Sequence, residues 1–444
     1  MNELPASWVK TALGQVVSYA DNETVDPADM PPEAWLLELE DIERDTGKVL
    51  ERKTVGERAP KSSKNRFQAG DVLYGKLRPY LNKVVRADED GFCSGEIIAI
   101  SPGLLDKNYL FYSMRSPSFI EYVSSVSHGM RMPRLGTQQA KSAPFVLPPR
   151  AEQTRIAAKL DELLAQVDTL KARTDGIPAL LKRFRQSVLA AAVSGRLTEE
   201  WHGGSRKNLE HQPFAYPVRR LGVLACFIDY RGKTPEKVDS GIPLITAKNI
   251  RPGFISREPR EFIRPEAYEG WMTRGIPQVG DVVITTEAPL GNVAVIDIDE
   301  KFALAQRAIC LQFHEGFLSS FAAIALQSPP LQEALARRST GTTVKGIKAS
   351  VLKEIELPDP GIDEQTEIVR RVEQLFAFAD QLEARVKAAQ ARIDRLTQSI
   401  LAKAFRGELV PQDPNDEPAS VLLERIKAQR AAAPKAKRGR KASA

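Results

Sequence analysis

The segment Ser187-Val-Leu-Ala-Ala-Ala-Val-Ser-Gly-Arg-Leu197 returns as Ser399-Ile-Leu-Ala-Lys-Ala-Phe-Arg-Gly-Glu-Leu409, identical at six of eleven positions and displaced by 212 residues. Glu152-Gln153 returns as Glu364-Gln365 at the same displacement. A period of 212 is far too long for a solenoid; it is the length of a globular domain plus a trailing helix. The chain must therefore build one architecture twice. A monomer made this way can imitate a two-fold dimer while its halves keep different surfaces.

Each half reads as a globular part, 1–147 and 212–357, followed by a helical part, 148–200 and 358–410. The globular parts carry short β-rich runs punctuated by Gly and Pro: 71–74, 95–100, 281–285, 292–296 and 308–313. Short helices are expected over Lys107–Ser113 and Leu318–Leu326, which makes the class α+β. Gly70-Asp71 and Gly280-Asp281 each stand before a strand and read as turns.

The helical parts carry one apolar stripe twice. Ile156, Leu160, Leu163, Leu164, Val167 and Leu170 match Ile368, Val372, Leu375, Phe376, Ala379 and Leu382 step for step. The stripes resume as Leu181, Phe184, Val188 and Leu189, and as Ile393, Leu396, Ile400 and Leu401. Two equivalent stripes can satisfy each other as an antiparallel coiled coil, which would relate the halves by a pseudo-two-fold axis. Alternatively, each helix lies on its own globular domain. Uninterrupted, such a helix would run ~65 Å. Gly176-Ile-Pro178 predicts a kink or break in the first, because Pro178 removes a helical hydrogen bond and crowds Thr174. Residues 201–211 read as a linker. Residues 411–444 read as a basic, largely disordered tail with a short helix over Val421–Arg430.

The formal charge of +6 comes from that tail: residues 425–441 hold eight Lys and Arg and no acid, and the rest of the chain sums to −2. Charge is segregated instead. Residues 20–45 carry ten acids and one base, and residues 61–86 seven bases and one acid, which suggests one electropositive face in the first half. Cys93, Cys226 and Cys310 form neither a disulfide framework nor a zinc pattern. No signal-peptide pattern and no stretch of ~18 apolar residues is present, so a cytoplasmic chain with no membrane contact is expected.

Catalytic patterns are not found. There is no phosphate-binding loop, no Gly-x-Ser-x-Gly, no Asp/Asn-Pro-Pro-aromatic motif and no metal-ligand spacing among His128, His202, His211 and His314. Asp71 with Lys76 is the nearest thing to a nuclease cluster, but Gly280-Asp281 repeats the aspartate without the lysine. What remains are basic and polar loops. The first half offers Lys76, Arg78 and Tyr80, then Arg131 and Arg134. The second offers Lys248 and Asn249, Arg307 at a strand start, and Thr342, Lys345 and Lys348. Arg and Lys suit guanine edges and phosphates, and Asn suits adenine. Gly129 and Gly341, displaced by 212, place the two late loops equivalently.

The whole pattern resembles the specificity subunit of type I restriction-modification systems. The resemblance is carried by Leu147-Pro-Pro-Arg-Ala-Glu-Gln-Thr-Arg-Ile156 and Leu357-Pro-Asp-Pro-Gly-Ile-Asp-Glu-Gln-Thr-Glu-Ile368, and by the Gly195-Arg-Leu and Gly407-Glu-Leu ends. Gly241-Ile-Pro-Leu-Ile-Thr-Ala-Lys-Asn-Ile-Arg-Pro-Gly253 looks like the start of a target recognition domain, and Ser339-Thr-Gly-Thr-Thr-Val-Lys-Gly-Ile347 like its closing loop. The first half lacks a counterpart of the 241–253 motif.

The resemblance implies two target recognition domains, each reading half of a split site in double-stranded DNA, with the helices as a ruler. It implies two modification subunits as partners, which methylate adenine N6 with S-adenosylmethionine, and restriction/translocase subunits that use ATP and Mg. It implies no catalysis and no cofactor in this chain. A self-contained nuclease or methyltransferase, or a scaffold that binds only proteins, would also fit the residues. Activity of the chain alone, and sequence-selective DNA binding, separate these readings.

Overall fold

The computed structural model describes residues 4–127, 129, 131–202, 216–230, 235–341 and 344–432. It divides into two compact units, Met1–Thr174 with Ala388–Ala444, and Asp175–Lys387.

In the first unit, strand Val9–Ala12 pairs antiparallel with Pro144–Leu147, so the domain's start and end close on each other. An antiparallel sheet follows in the order Ser18–Tyr19, Ile97–Ser101, Val72–Gly75, Val84–Arg86. The second unit repeats this. Val218–Arg220 pairs with Glu356–Pro358, and the sheet runs Ala225–Asp229, Ala308–Phe313, Val282–Thr286, Leu290–Val295. The central strands, Val72-Leu-Tyr74 and Val282-Val-Ile284, are buried, as suits β-branched and aromatic residues. Helices Lys107–Ser113, Pro117–Val126 and Thr137–Lys141 answer to Ser319–Gln327, Pro329–Arg338 and Ala349–Lys353, with starts displaced by 212.

The two aspartates do the same work. The Asp71 carboxylate accepts from the Gln68 N–H at 2.9 Å, and that of Asp281 from the Gln278 N–H at 2.8 Å. The preceding glycines have φ of +97° and +93°, a conformation that favours glycine. The domains diverge in their second layer. The first has a sheet of Thr24–Val25, Lys64–Phe67, Gly91–Cys93 and Trp35–Leu37. The second has Phe262–Ile263, Ile242–Ile245 and Ala303–Leu304, plus a ribbon of Ile250–Arg251 and Phe254–Ile255.

The helical parts are Arg150–Asp175, Ile177–Val193 and an unbroken Ile362–Ala404. The break expected at Gly176-Ile-Pro178 is one residue long: Gly176 keeps right-handed helical angles and Pro178 sits in the first turn of the new helix. In the first unit, Ile156, Leu160 and Val167 share one core with Ile400, Leu401 and the globular domain. In the second, Val188 and Leu189 share a core with Ile368, Val372 and that unit's domain, with Phe184 and Leu375 half-buried against it. Leu181 and Ala379 are also buried. Within the second unit, Arg185 binds Asp380 and Glu383, while Arg371 binds Glu200 and the Leu197 carbonyl. Rising numbers meet falling ones, so the paired segments run antiparallel. The helix starts at Arg150 and Ile362 each lie on their own domain, as the second reading expected, and beside the end of another helix in the same unit.

The stripe is not uniform. Leu163, Ile393 and Leu382 are half-buried, and Leu170 and Leu396, expected in the core, are 46% and 44% exposed. Val167 is still buried and Leu170, three residues on, is not, so the surface that covers the stripe ends between them. An exposed Lys171–Asp394 pair at 3.5 Å stands there instead.

The buried repeat Glu-Gln locks each helix start. The Gln153 side chain accepts from the Asp106 N–H at 2.9 Å and donates to the Pro148 carbonyl at 3.0 Å. Gln365 does the same with the Leu318 N–H at 2.8 Å and the Pro360 carbonyl at 2.9 Å. Glu152 accepts from Trp8 Nε1 and Gln412 Nε2, and Glu364 from the Thr198 and Tyr216 hydroxyls.

The expectation of a largely disordered tail from 411 needs correction. Helix Ala419–Ala432 packs Ala419, Leu422, Leu423 and Ile426 into the first core, Asp416 pairs with Arg155 at 2.6 Å, and Arg430 donates to the Gly14 carbonyl. These apolar residues recur at helical spacing, but the basic residues around them dominate the composition. Residues 433–444, and 203–211 of the expected linker, lie outside the described residues.

Candidate nucleic-acid interface

In the first domain the loop leaving strand Val72–Gly75 meets the loop that precedes Thr137–Lys141. The Lys76 N–H donates to the Glu96 carbonyl at 2.9 Å, the Leu135 N–H to the Lys76 carbonyl at 2.9 Å, and the Arg78 N–H to the Pro133 carbonyl at 2.7 Å. Leu77 and Arg134 form an isolated bridge. Lys76, Arg78 and Arg134 are thus brought together, with Tyr80 and Arg131 exposed on the same two loops. Arg134 pairs with Glu96 at 2.7 Å. Arg78 adopts φ +50°, and its Nε and Glu96 Oε2 are buried with no hydrogen-bond partner among the described residues. An adjoining cleft of about 490 Å³ is lined by Glu38, Glu40, Arg58, Lys64, Leu77 and Glu96.

The second domain builds the same junction. The Thr286 N–H donates to the Arg307 carbonyl at 2.9 Å and the Ile347 N–H to the Thr286 carbonyl at 3.0 Å, while Glu287 and Gly346 form the bridge. A cleft of about 480 Å³ is lined by Thr286, Glu287, Gln306, Arg307, Thr340 and Lys348. Arg307 stands 3.8 Å from Glu287. Lys345 is exposed on the closing loop, and Thr342 lies outside the described residues.

Lys248 and Asn249 do not line this cleft. Lys248 is exposed, 4.0 Å from Glu261. Asn249, expected to read adenine, is 1% exposed. Its carbonyl oxygen accepts from the Thr246 N–H and hydroxyl, and its amide donates to the Ser256 and Pro259 carbonyls. With its hydrogen bonds taken by the loop, Asn249 presents nothing to a base and is a turn residue. Thr246 three positions earlier was the available signal. Glu96 and Glu287 were missed, because only the strand register sets them beside arginines.

A half-exposed guanidinium held by a carboxylate can offer a planar donor pair to a guanine edge or a phosphate. Among the described residues no cluster of His, Cys, Asp or Glu is arranged to hold a metal ion, and no helix is long and apolar enough to cross a membrane. Burial pushes the Cys93 thiol up to about 12 and that of Cys310 up as well, so neither offers a thiolate near neutrality.

The family model for the type I restriction modification DNA specificity domain matches residues 13–179 and again 239–389. The EcoBI specificity subunit of Escherichia coli, a type I restriction enzyme subunit, is 34% identical over 377 residues, covering 78% of this chain and 76% of its own length. The EcoKI specificity subunit of Escherichia coli K12 is 36% identical over 358 residues, covering 77% and 75%. A solved chain described for complex assembly and conformational transition of the type I R-M system superposes with a TM-score of 0.72 at 22% identity, over 92% of this chain and 100% of that one, which shows a shared fold.

Proposed function

Since this chain belongs to the family of type I restriction-modification DNA specificity subunits, we propose that each globular domain reads one half of a bipartite, asymmetric DNA site while the helices set the gap between halves. The observation that carries the reading is the repeated loop junction: two backbone hydrogen bonds in common, and an Arg–Glu pair set in opposite order in the two domains. Phosphate contacts supply sequence-independent affinity and groove contacts the discrimination. Half-sites about one helical turn apart (~34 Å) put both domains on one side of the duplex.

The partners in this reading are two modification subunits, which methylate adenine N6 with S-adenosylmethionine, and restriction subunits that use ATP and Mg. Apolar side chains exposed on the helical parts, Leu170 and Leu396 in one unit and Leu180 and Phe378 in the other, are where the modification subunits dock. The chain contributes no catalytic group, and its setting is the cytoplasm.

Arg131 and Lys345 are assigned to phosphates, being exposed on equivalent loops. Replacing either by alanine in the assembled complex is expected to weaken binding to all sequences alike and to lower the salt slope by about 1. Fluorescence anisotropy across a salt series reads both, and unchanged binding in both variants removes the assignment. The purified chain is expected neither to cut nor to methylate DNA with Mg or S-adenosylmethionine added. Turnover by the chain alone would instead favour a self-contained enzyme.

A further inference from the structure

The two loop junctions share two backbone hydrogen bonds and one isolated bridge, yet their charges are exchanged. Lys76 N–H to Glu96 corresponds to Thr286 N–H to Arg307, and Leu135 N–H to Lys76 corresponds to Ile347 N–H to Thr286. The start of the sheet's second strand therefore carries a carboxylate, Glu96, in the first domain and a guanidinium, Arg307, in the second. The partner of opposite sign comes from a crossing loop each time: Arg134 beside Glu96, Glu287 beside Arg307.

Fold stability does not explain these pairs. Arg134 is 60% and Arg307 51% exposed, and exposed ion pairs contribute little. Three further observations set the junctions apart. Both border clefts of similar volume. Glu96 Oε2 is buried without a partner among the described residues, an arrangement rare enough to need a cause. Arg307 adopts φ +71°, uncommon for a residue with a side chain and frequent at functional sites.

We propose that this junction is the specificity-determining point of each domain, with Arg134 and Arg307 as base readers and Glu96 and Glu287 as the positioning residues that aim them. The inference rests on the DNA-reading function proposed above. An arginine aimed in this way offers its donor pair in one plane, which matches guanine O6 and N7. The exchange of charge puts the arginine on the closing loop in one domain and at the strand start in the other, so the guanine each one reads stands at a different place in its half-site.

The test is the methylated motif left by the full chain assembled with its modification subunit, read by single-molecule sequencing of genomic adenine methylation. Glu96→Ala is expected to relax one G·C position in one half-site only, by at least about fivefold in discrimination. Glu287→Ala is expected to relax one position in the other half-site only. Glu96→Gln, which still accepts from Arg134, is expected to keep the wild-type motif. Unchanged motifs in both alanine variants overturn the inference, as does a uniform loss at every position, the mark of a merely structural role. Should Glu96→Ala abolish methylation, Arg134→Lys decides, because it keeps the charge and loses the planar fork: relaxation at one position supports the proposal and an unchanged motif overturns it. A wild-type complex that methylates no split motif removes the underlying reading, and this inference with it.

Discussion

A chain ending at Pro411 is expected to lose most of the stability of its first unit and to leave the second unit untouched. The cut removes Leu422, Leu423 and Ile426 from the first core, the Asp416 partner of Arg155, and the Gln412 partner of Glu152. Burying a side chain of this size stabilises by about 1.5–3 kcal/mol, so the three together contribute roughly 4–9 kcal/mol as an upper bound. That is comparable to the whole stability of an ordinary domain. Burial already raises the carboxyl pKa of Glu152, and losing one of its two donors adds to the cost. In a unit of this size each kcal/mol moves the midpoint by about 2–4 °C, so calorimetry should show the first transition falling by roughly 10 °C or more. A shift below about 2 °C would mean that helix Ala419–Ala432 merely rests on the surface. DNA-binding comparisons that delete the basic segment are better made by ending the chain at Ala432.

Replacing either repeated glutamine by leucine is expected to cost about 2–5 kcal/mol, and the two losses should be nearly equal. Gln153 and Gln365 are both fully buried. Leucine fills the space but leaves an N–H and a carbonyl without partners: Asp106 and Pro148 in one unit, Leu318 and Pro360 in the other. Each orphaned group costs about 1–3 kcal/mol, part of which the added apolar burial offsets. Urea unfolding followed by hydrogen exchange reports each unit separately. Gln153→Leu should destabilise only the first unit and Gln365→Leu only the second. A loss below about 0.5 kcal/mol in either would mean that the repeat does not mark one structural device used twice.

The elements most legible in the sequence are those whose role is local. Gly195 and Gly407 repeat because both take φ near +70°, and a Cβ on Gly407 would stand 2.4 Å from Pro5. Asp71 and Asp281 repeat because each closes the same turn. The repetition of the globular domains was legible but their common strand order was not, since a pleated, buried strand accepts many β-branched and aromatic sequences. Leu170 and Leu396 show the limit of periodicity: it marks a stripe and not where the partner surface ends. Asn249 shows the limit of residue type, because its suitability for adenine says nothing of the turn that occupies its amide. The ion pairs Glu96–Arg134 and Glu287–Arg307 depend on strand register, which no local pattern encodes.

The central claim is that two domains of one chain each read half of a split DNA site. Co-expression with the modification subunit in a host free of adenine methylation, followed by single-molecule sequencing, tests it most directly. Methylation is expected at an asymmetric motif of two parts separated by a gap of fixed length. Methylation at one continuous motif would contradict it by leaving a single domain to read DNA, and a formed complex that methylates nothing would contradict the DNA-reading role itself.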